Sequence, residues 1–408
     1  MNSKSINYCQ ISKKKDLKSI LNLGYLPPVN HYEKIGSTLN EENFFPCELF
    51  YSPSSSLYQL NTIVNKEILF PKSYPYTSST TKILRKNFQD LFVECKKLFN
   101  INKTDLAIDI GSNDGNLLSN FKNHCKVLGV TPELIGNKAK KKGIETIIDY
   151  YDRSSSKFIL EKYGKAKFIF ATNVFAHIDN VRDVLKNIKS NLSSDGVFVT
   201  ESHYFLSLIE TCQFDTIYHE HMRYYTLTAL KKLFDSVDLR IIYVKKIKTH
   251  GGSIRVYASK KNYFIKNNDI DKFINIEKKK LSYKNITKFK KSVINSKLQN
   301  IKILSDIIKR NKVIYGVSAP SRASTLINYF GIDENLIECI LETKGSHKIG
   351  KYVPGTKIPI KEETIKILKK CDYLYLFSWH IADELMFNIK KKGFKGKFII
   401  PLPLPKII

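Results

Sequence analysis

Between Asp105 and Ser202 the sequence alternates short apolar segments with amphipathic ones, and this alternation constrains the fold more than any other feature. The segments LAIDIG, KVLGV, KFIFAT and GVFVTES have the length of buried strands. The intervening LLSNF, LIGNKAKKK and VRDVLKNIKSNL have the pattern of helices. Because strands that alternate with helices form a parallel sheet covered on both faces, the sequence predicts a doubly wound, Rossmann-like α/β domain.

The rest of the chain predicts two flanking domains, since 408 residues exceed what one core normally holds. Residues 1–81 are rich in Pro and Ser and predict a small, loop-rich cap with short strands. A helix predicted from Lys82 to Phe99 opens the central domain, which we place at 82–270. Residues 271–408 begin with long Lys-rich helices and then resume the alternation, which predicts a second Rossmann-like α/β domain.

Composition limits the classes of partner. The formal charge of +29 comes mainly from Lys spread over the whole chain, whereas nucleic-acid readers favour clustered Arg, so we expect no nucleic acid partner. A positive field does attract small anions such as a nucleotide diphosphate. Seven cysteines without a disulfide-like pattern, no apolar run long enough for a membrane span and no signal peptide predict a cytoplasmic protein without membrane contact. We expect a monomer or a weak homodimer.

The first segment that could carry chemistry runs from Asp109 to Gly115, between a predicted strand and a predicted helix. Its glycine turn allows backbone N–H groups to approach a ligand closely. The spacing Gly-x-x-x-Gly fits the dinucleotide fingerprint poorly. Asp109 at the strand end suits the cationic end of S-adenosylmethionine, and a plain tight turn is the alternative.

The second segment is YHEHMRYY, from Tyr218 to Tyr225. Its two His residues flank a Glu, but the spacing is wrong for a helical zinc site because Arg223 stands where the second His belongs. A dense group of His, Glu and Tyr suits proton transfer and stabilisation of a developing oxyanion. Chance packing is the alternative.

Further candidates lie in scattered segments. Tyr74 belongs to YPYTSS, and Asn173 opens NVFAH; His250 precedes two glycines in a loop whose backbone comes close to a neighbour. Arg322 could pair with a phosphate. We assign Asn173 to the cofactor site and Tyr74, His250, Arg255 and Arg322 to substrate binding.

In this order, the segments closely resemble the sugar C-methyltransferases, enzymes of deoxysugar biosynthesis, over nearly the whole chain. The matching segments are GSNDG (111–115), NVFAHI (173–178), FDTIYHEHMRYYTL (214–227), THGGSIRVY (249–257), KYVPGTKIPI and FIIPLPLP. The resemblance implies a zinc-binding N-terminal domain, a central S-adenosylmethionine-dependent methyltransferase domain and a C-terminal domain that helps to hold a sugar nucleotide.

The resemblance also implies roles for individual residues. The donor site would be shaped by Asp109, Gly111, Asn113, Asp114 and Gly115. Tyr76 would contact the sugar, and His177 and Tyr218 would line the active site. Glu220 and His221 would serve proton transfer, with His221 as the base. The reaction implied is methylation of carbon 3 of a nucleotide-linked 4-keto-deoxysugar, for cell-surface polysaccharide or glycoconjugate biosynthesis.

The chain departs from the family's pattern at the zinc ligands. The family has two Cys-x-x-Cys pairs, whereas this chain keeps Cys9 but has Ser12, Ser52 and Ser55 at the other three positions. Serine is a poor zinc ligand, so we expect no zinc. Rescue of the site by Cys47 or His31 is the alternative.

Two more departures lie in the central domain. Thr131 occupies the place of the acid that grips the donor's ribose, so we assign it to the cofactor site, expect weak donor binding and expect Thr131→Glu to tighten it. Ser202 and His203 replace the Val-Pro that relatives carry after Glu201. O- or N-methylation of a similar sugar, and a non-catalytic sugar-nucleotide-binding relative, remain alternatives.

Overall fold

A computed structural model describes residues 2–37, 44–70, 82–263, 265 and 269–408. The strands are β1 (Ser3–Ser5), β2 (Lys18–Leu26), β3 (Phe45–Ser52), β4 (Leu57–Leu60), β5 (Thr62–Val64), β6 (Leu106–Ile110), β7 (Lys126–Val130), β8 (Glu145–Ile147), β9 (Ala166–Thr172), β10 (Leu192–His203), β11 (Arg223–Tyr224), β12 (Arg240–Ile247), β13 (Ser253–Ser259), β14 (Ile314–Val317), β15 (Ile340–Glu342), β16 (Ile360–Glu362), β17 (Tyr373–Leu376), β18 (Lys397–Ile400) and β19 (Lys406–Ile407). The α-helices are α1 (Lys66–Leu69), α2 (Lys82–Leu98), α3 (Gly136–Lys141), α4 (Arg153–Tyr163), α5 (Val181–Asn191), α6 (Phe205–Glu210), α7 (Leu227–Asp235), α8 (Ile270–Lys280), α9 (Tyr283–Ile308), α10 (Ser321–Phe330), α11 (Ile365–Leu368) and α12 (Ala382–Lys391).

The central sheet confirms the predicted α/β fold. Its strand order is β12-β13-β10-β9-β6-β7-β8, and the five strands from β10 to β8 run parallel. β13 runs antiparallel to both β10 and β12. All five residues of β6 are buried, as expected for a strand covered on both faces. The carboxyl ends of β6, β9 and β10 therefore lie side by side along one edge.

The cap contains a small antiparallel sheet, and its edge strand β11 comes from the segment YHEHMRYY of the central domain. Its order is β11-β4-β3-β2, and Arg223 of β11 pairs with Gln59 of β4. Arg223 is 1% exposed; its guanidinium donates to the Gln10 side chain and to the carbonyl oxygens of Phe175 and Ile178. The segment YHEHMRYY is thus fixed between the cap and the central domain.

The C-terminal sheet has the order β16-β15-β14-β17-β18-β19, and only β19 runs antiparallel to its neighbour within this sheet. One apolar core joins this domain to the rest of the chain: Leu21 of the cap, Phe214 of the central segment and Leu326 of α10 are all buried in it. Among the described residues, none of the helices combines the length and apolar character that crossing a membrane requires.

Candidate active site

The loop after β6 is folded tightly enough to bring its backbone against a ligand. Gly111 has φ +74°, and a Cβ there would lie 2.4 Å from Cγ2 of Val174. Only glycine fits such a position. Because Val174 belongs to the loop that follows β9, the two loops touch. Asn113 and Asn173 also have positive φ values, of 51° and 58°.

The carboxyl group of Asp109, near the end of β6, is buried and could receive a partner from a bound methyl donor. Its side chain is 3% exposed, and Oδ1 has no hydrogen-bond partner among the described residues. Burial raises the pKa of this carboxyl well above its ordinary value, and the neighbouring Glu201 adds to the effect. A cationic group beside Asp109 would remove this penalty, which fits the charged amino acid end of S-adenosylmethionine.

A carboxylate lies two residues beyond Thr131, and Thr131 contacts it. The hydroxyl of buried Thr131 donates to a carboxylate oxygen of Glu133, which is half-buried. Thr131 and Glu133 together therefore present a carboxylate at the end of β7. The expected gain from Thr131→Glu no longer follows, since it would place two carboxylates side by side.

Asp114 forms an ion pair within the domain, and its part in shaping the donor site remains a prediction. Its carboxylate lies 3.2 Å from Nζ of Lys142, and Asp114 is 1% exposed. This ion pair ties the loop after β6 to the end of α3, so the Asp114 side chain supports the loop. Gly115, with φ +76°, closes the same turn.

Two histidines next to this loop are oriented by backbone carbonyl groups. Nδ1 of His221 is 3.0 Å from the carbonyl oxygen of Thr216, and Nδ1 of His177 is bonded to the carbonyl oxygen of Glu220. Because a carbonyl oxygen can only accept, both Nδ1 atoms carry hydrogen and both Nε2 atoms carry a lone pair. The two rings lie 5.0 Å apart, centroid to centroid.

The surroundings keep these imidazoles neutral. Burial lowers the pKa of His221 to about 3, and the neighbouring His177 adds to the effect. Burial likewise lowers the pKa of His177 to about 4. The ring of Tyr218 lies 4.3 Å from that of His221. The lowered pKa keeps the His221 ring in its neutral form, with a free lone pair, at any ordinary pH, and it also makes the ring a weaker base than an exposed histidine.

All three domains meet at Glu220. Its Oε1 accepts a hydrogen bond of 2.8 Å from Nδ2 of Asn30 in the cap. The Oδ1 atom of Asn30 in turn accepts one of 3.0 Å from Ser321, the first residue of α10. Glu220 therefore links the cap and the C-terminal domain to the segment that carries His221.

Arg322 ties the C-terminal domain to the same segment. Its guanidinium donates to both carboxylate oxygens of Asp215, at 2.8 and 2.6 Å. Nε1 of Trp379 also donates to Asp215, at 2.8 Å, and Arg322 stacks over the Trp379 ring. The phosphate partner that we predicted for Arg322 is thus replaced by a buried carboxylate, and its role in binding substrate remains a prediction.

The structure contradicts the predicted role of Arg255 in substrate binding, because its guanidinium is bonded to other protein groups. Arg255 is 1% exposed, and its Nε lies 2.6 Å from Glu201 and its Nη1 3.1 Å from Glu94. Asn87 of α2 accepts from the same guanidinium at 2.9 Å. Because all its bonds go to buried protein groups, Arg255 fastens α2 to the sheet and has no free face for a substrate.

His250 adopts a strained conformation in the loop between β12 and β13, and its role in substrate binding remains a prediction. It has φ 53°, and its Nε2 is buried without a hydrogen-bond partner among the described residues. A Cβ on the following Gly251 would lie 2.2 Å from Oε1 of Gln213. The loop that carries His250 therefore packs closely against Gln213, which follows α6. Tyr74 and Tyr76 lie outside the described residues.

The four former zinc positions come together around serine hydroxyls. Sγ of Cys9 lies 3.0 Å from Oγ of Ser55, which is 3.1 Å from Oγ of Ser52. Ser54 joins this group through Ser52, at 3.2 Å, and Ser12, at 2.7 Å. Burial alone raises the pKa of the Cys9 thiol, but bonds from the surrounding hydroxyls outweigh it, so the pKa is lowered.

These donors do not suit zinc, and neither Cys47 nor His31 joins them. Cys47 donates to the carbonyl oxygen of Ile217, and His31 is exposed beside Glu33. No group of three His, Cys, Asp or Glu side chains able to hold a metal occurs in the described part of the chain. One thiol and three hydroxyls make a poor zinc site. We refer to Cys9, Ser12, Ser52, Ser54 and Ser55 as the serine cluster.

Two residues of this site escaped the sequence prediction. Glu133 was missed because the resemblance points to position 131 alone for a ribose-binding acid, and Glu133 lies two residues further along the chain. Asn30 carries no local pattern, and its contact with Glu220 spans 190 positions. No pattern in one sequence could have revealed the second contact.

Comparison with known proteins assigns all three regions. A putative zinc binding domain matches residues 9–70, a methyltransferase domain matches 83–244, and a C-methyltransferase C-terminal domain matches 248–403. The C-methyltransferase NovU of Streptomyces niveus is 27% identical over 414 residues, which cover 99% of this chain and 97% of NovU.

Solved methyltransferase structures match less than half of the chain. A S-adenosylmethionine-dependent methyltransferase from Clostridium acetobutylicum is 14% identical, with a TM-score of 0.34, over 44% of this chain and 93% of its own. Magnesium protoporphyrin IX methyltransferase from Synechocystis, with bound S-adenosylhomocysteine, is 12% identical, with a TM-score of 0.35, over 43% and 83%. The domain match at 83–244 confirms the cofactor expected from the sequence, S-adenosylmethionine. The three domain models match in order along the chain, as expected from its resemblance to the sugar C-methyltransferases.

Proposed function

We propose that the protein transfers a methyl group from S-adenosylmethionine to a carbon of a nucleotide-linked 4-keto-deoxysugar, with carbon 3 as the favoured position. The product would serve the biosynthesis of a cell-surface polysaccharide or glycoconjugate. The observation that carries this proposal is the orientation of His221. Its Nδ1–H is fixed by the Thr216 carbonyl, so its Nε2 carries the lone pair, and its ring lies 5.0 Å from that of His177 in the loop that follows β9.

The proposed chemistry needs one base and one oxyanion stabiliser. A hydrogen on the carbon next to a carbonyl is acidified by that carbonyl, and Nε2 of His221 removes it. The hydroxyl of Tyr218, whose ring lies against His221, donates to the enolate oxygen. The adjacent carbonyl lowers the strength of base that this step needs, and S-adenosylmethionine, when bound, would supply the electrophilic methyl group that the carbon then attacks.

The other named residues hold these groups in place. Asp109 would bind the cationic end of the donor, and Glu133 with Thr131 would bind its ribose hydroxyls. Gly111 and Asn173 keep the two loops in contact, and His177 orients the backbone at Glu220. His250 and Arg322, which lie close enough for Arg322 to lower the pKa of His250, would contact the sugar nucleotide.

A direct test uses a nucleoside-diphosphate 4-keto-6-deoxyhexose and S-adenosylmethionine with a labelled methyl group. We expect the sugar to gain one methyl group, and nuclear magnetic resonance to locate it on carbon. Without a methyl donor, in heavy water, the same sugar should take up deuterium at that carbon. Methylation of oxygen without deuterium uptake would favour the O-methyltransferase alternative, and donor binding without either reaction would favour a non-catalytic relative.

The proposed ribose contact predicts the effect of Glu133→Gln on donor affinity. A hydrogen bond to a charged group contributes about 1.5–3 kcal/mol. Since about 1.4 kcal/mol is a factor of ten, the Kd for S-adenosylhomocysteine should rise about ten-fold or more in calorimetry. Glu161→Gln, on the exposed face of α4, serves as the control and should leave the Kd unchanged. An unchanged Kd in Glu133→Gln would remove Glu133 from the donor site.

A further inference from the structure

His203 lies between two histidines of the candidate site. It is the last residue of β10, and its ring centroid is 5.3 Å from that of His221 and 5.5 Å from that of His250. With His177 on the far side of His221, at 5.0 Å, four imidazoles form a continuous row.

The backbone holds this row in position. His203 pairs with Ser253 of β13 in the central sheet, so its Cα is fixed next to the loop that carries His250. Nε2 of His250 is buried without a hydrogen-bond partner among the described residues, and His250 adopts a positive φ. Strain of this kind persists where surrounding structure imposes it and often marks a functional position.

The proposed reaction gives such a row a task. Replacing a carbon-bound hydrogen by the methyl group of a sulfonium releases one proton in each turnover. His221 Nδ1 is occupied by the Thr216 carbonyl, so the proton must leave from Nε2, the atom that accepted it. The centroid distances place the rings close enough for a direct hydrogen bond or a single bridging water.

We propose that His203 carries the abstracted proton from His221 toward His250, and this inference rests on the proposed function. The carbon–hydrogen bond breaks, its electron pair stays on the sugar as the enolate, and a new N–H bond forms at His221. His203 then accepts that proton on a ring nitrogen, which returns the lone pair to His221. His250 and the solvent of the cleft receive the proton from His203.

The electrostatics of the row support a relay through neutral rings. Burial lowers the pKa of His203 well below its ordinary value, and His221 and His250 lower it further. Burial lowers the pKa of His250 to about 4, and Arg322 contributes. An imidazolium in such a setting gives up its proton readily, so charge does not remain on any ring of the row.

The test measures deuterium uptake from heavy water into the nucleoside-diphosphate 4-keto-6-deoxyhexose, with S-adenosylhomocysteine in place of the donor. Without the relay, the proton on His221 returns to the same carbon. We expect His203→Gln to slow uptake by roughly 10–100-fold, at or below the lower range of general acid–base effects. Substrate Kd and melting temperature should stay near the values of the unaltered protein. Added imidazole should restore uptake, which a merely structural defect would not allow.

The controls separate this inference from the proposed function. His31→Gln changes an exposed cap histidine and should exchange at the normal rate. Should His203→Gln be unstable, His250→Asn interrupts the row one ring later and must give the same loss, since Asn tolerates a positive φ. Normal exchange in both stable variants would overturn the relay and leave the proposed function intact. No exchange in the unaltered protein would instead count against the proposed function.

Discussion

His221→Asn should lower turnover by roughly 10²–10⁴ while substrate binding stays near normal, because the variant loses the base and keeps the shape of the cleft. The same variant should stop deuterium uptake at the methylated carbon. Steady-state kinetics and mass spectrometry of the recovered sugar check the two effects. Continued exchange in His221→Asn would move the role of base to His177 or Tyr218, the two groups whose rings lie next to it.

The size of this loss should not depend on pH in the neutral range. Burial lowers the pKa of His221 to about 3, which extends the neutral, proton-accepting form of the ring to lower pH. The ratio of unaltered to variant rates should therefore be the same at about pH 6 and about pH 8. A ratio that falls as the pH is lowered through about 6.5 would indicate a base with an ordinary histidine pKa.

Cysteines at positions 12, 52 and 55 should create a zinc site in the serine cluster. In the variant Ser12→Cys, Ser52→Cys, Ser55→Cys, four thiols would occupy positions that already converge, since Cys9 Sγ is 3.0 Å from Ser55 Oγ. Four thiolates are a strong zinc site, so elemental analysis should find about one zinc per chain. Chelation should then lower the melting temperature, because binding energy at a structural site is folding energy.

The unaltered protein should behave in the opposite way. Its cap is joined by the hydroxyl contacts of the serine cluster and by Asp16, which accepts from the Ser52 hydroxyl and the Ser54 amide at 2.8 Å each. We expect almost no zinc in protein purified without chelator and a melting temperature that chelation does not change. A zinc content near one per chain, lost together with stability on chelation, would contradict this account of the cap. Adding Cys9→Ser to the three-cysteine variant should abolish most of its zinc binding.

The sequence predicted the elements whose signal is local. The apolar segments from Leu106 to Ser202 became β6, β7, β9 and β10, because a strand covered on both faces needs a continuous apolar run. LLSNF formed only a 3₁₀ turn over Leu118–Asn120, since five residues are too few to stabilise an α-helix. The two-residue strand β11 could not be predicted, because its partner Gln59 is far away in sequence.

The site was predictable where the family pattern fixed it and not where distant partners decide. His177, His221 and Tyr218 were named from the motif, and the structure brings their rings together. Arg255 was misassigned because a lone Arg in a strand gives no sign of buried carboxylates on another strand and on α2. His203 was noted as a departure, but its place in the row depends on the register of β10 against β13.

Binding of the methyl donor tests the central claim most directly. The loop after β6, the buried Asp109 and the Glu133 carboxylate should together bind S-adenosylhomocysteine, and calorimetry on the full chain measures this without knowledge of the sugar. We expect one saturable site, weakened in Glu133→Gln. If neither S-adenosylmethionine nor S-adenosylhomocysteine binds at millimolar concentration, the protein does not work as a methyltransferase.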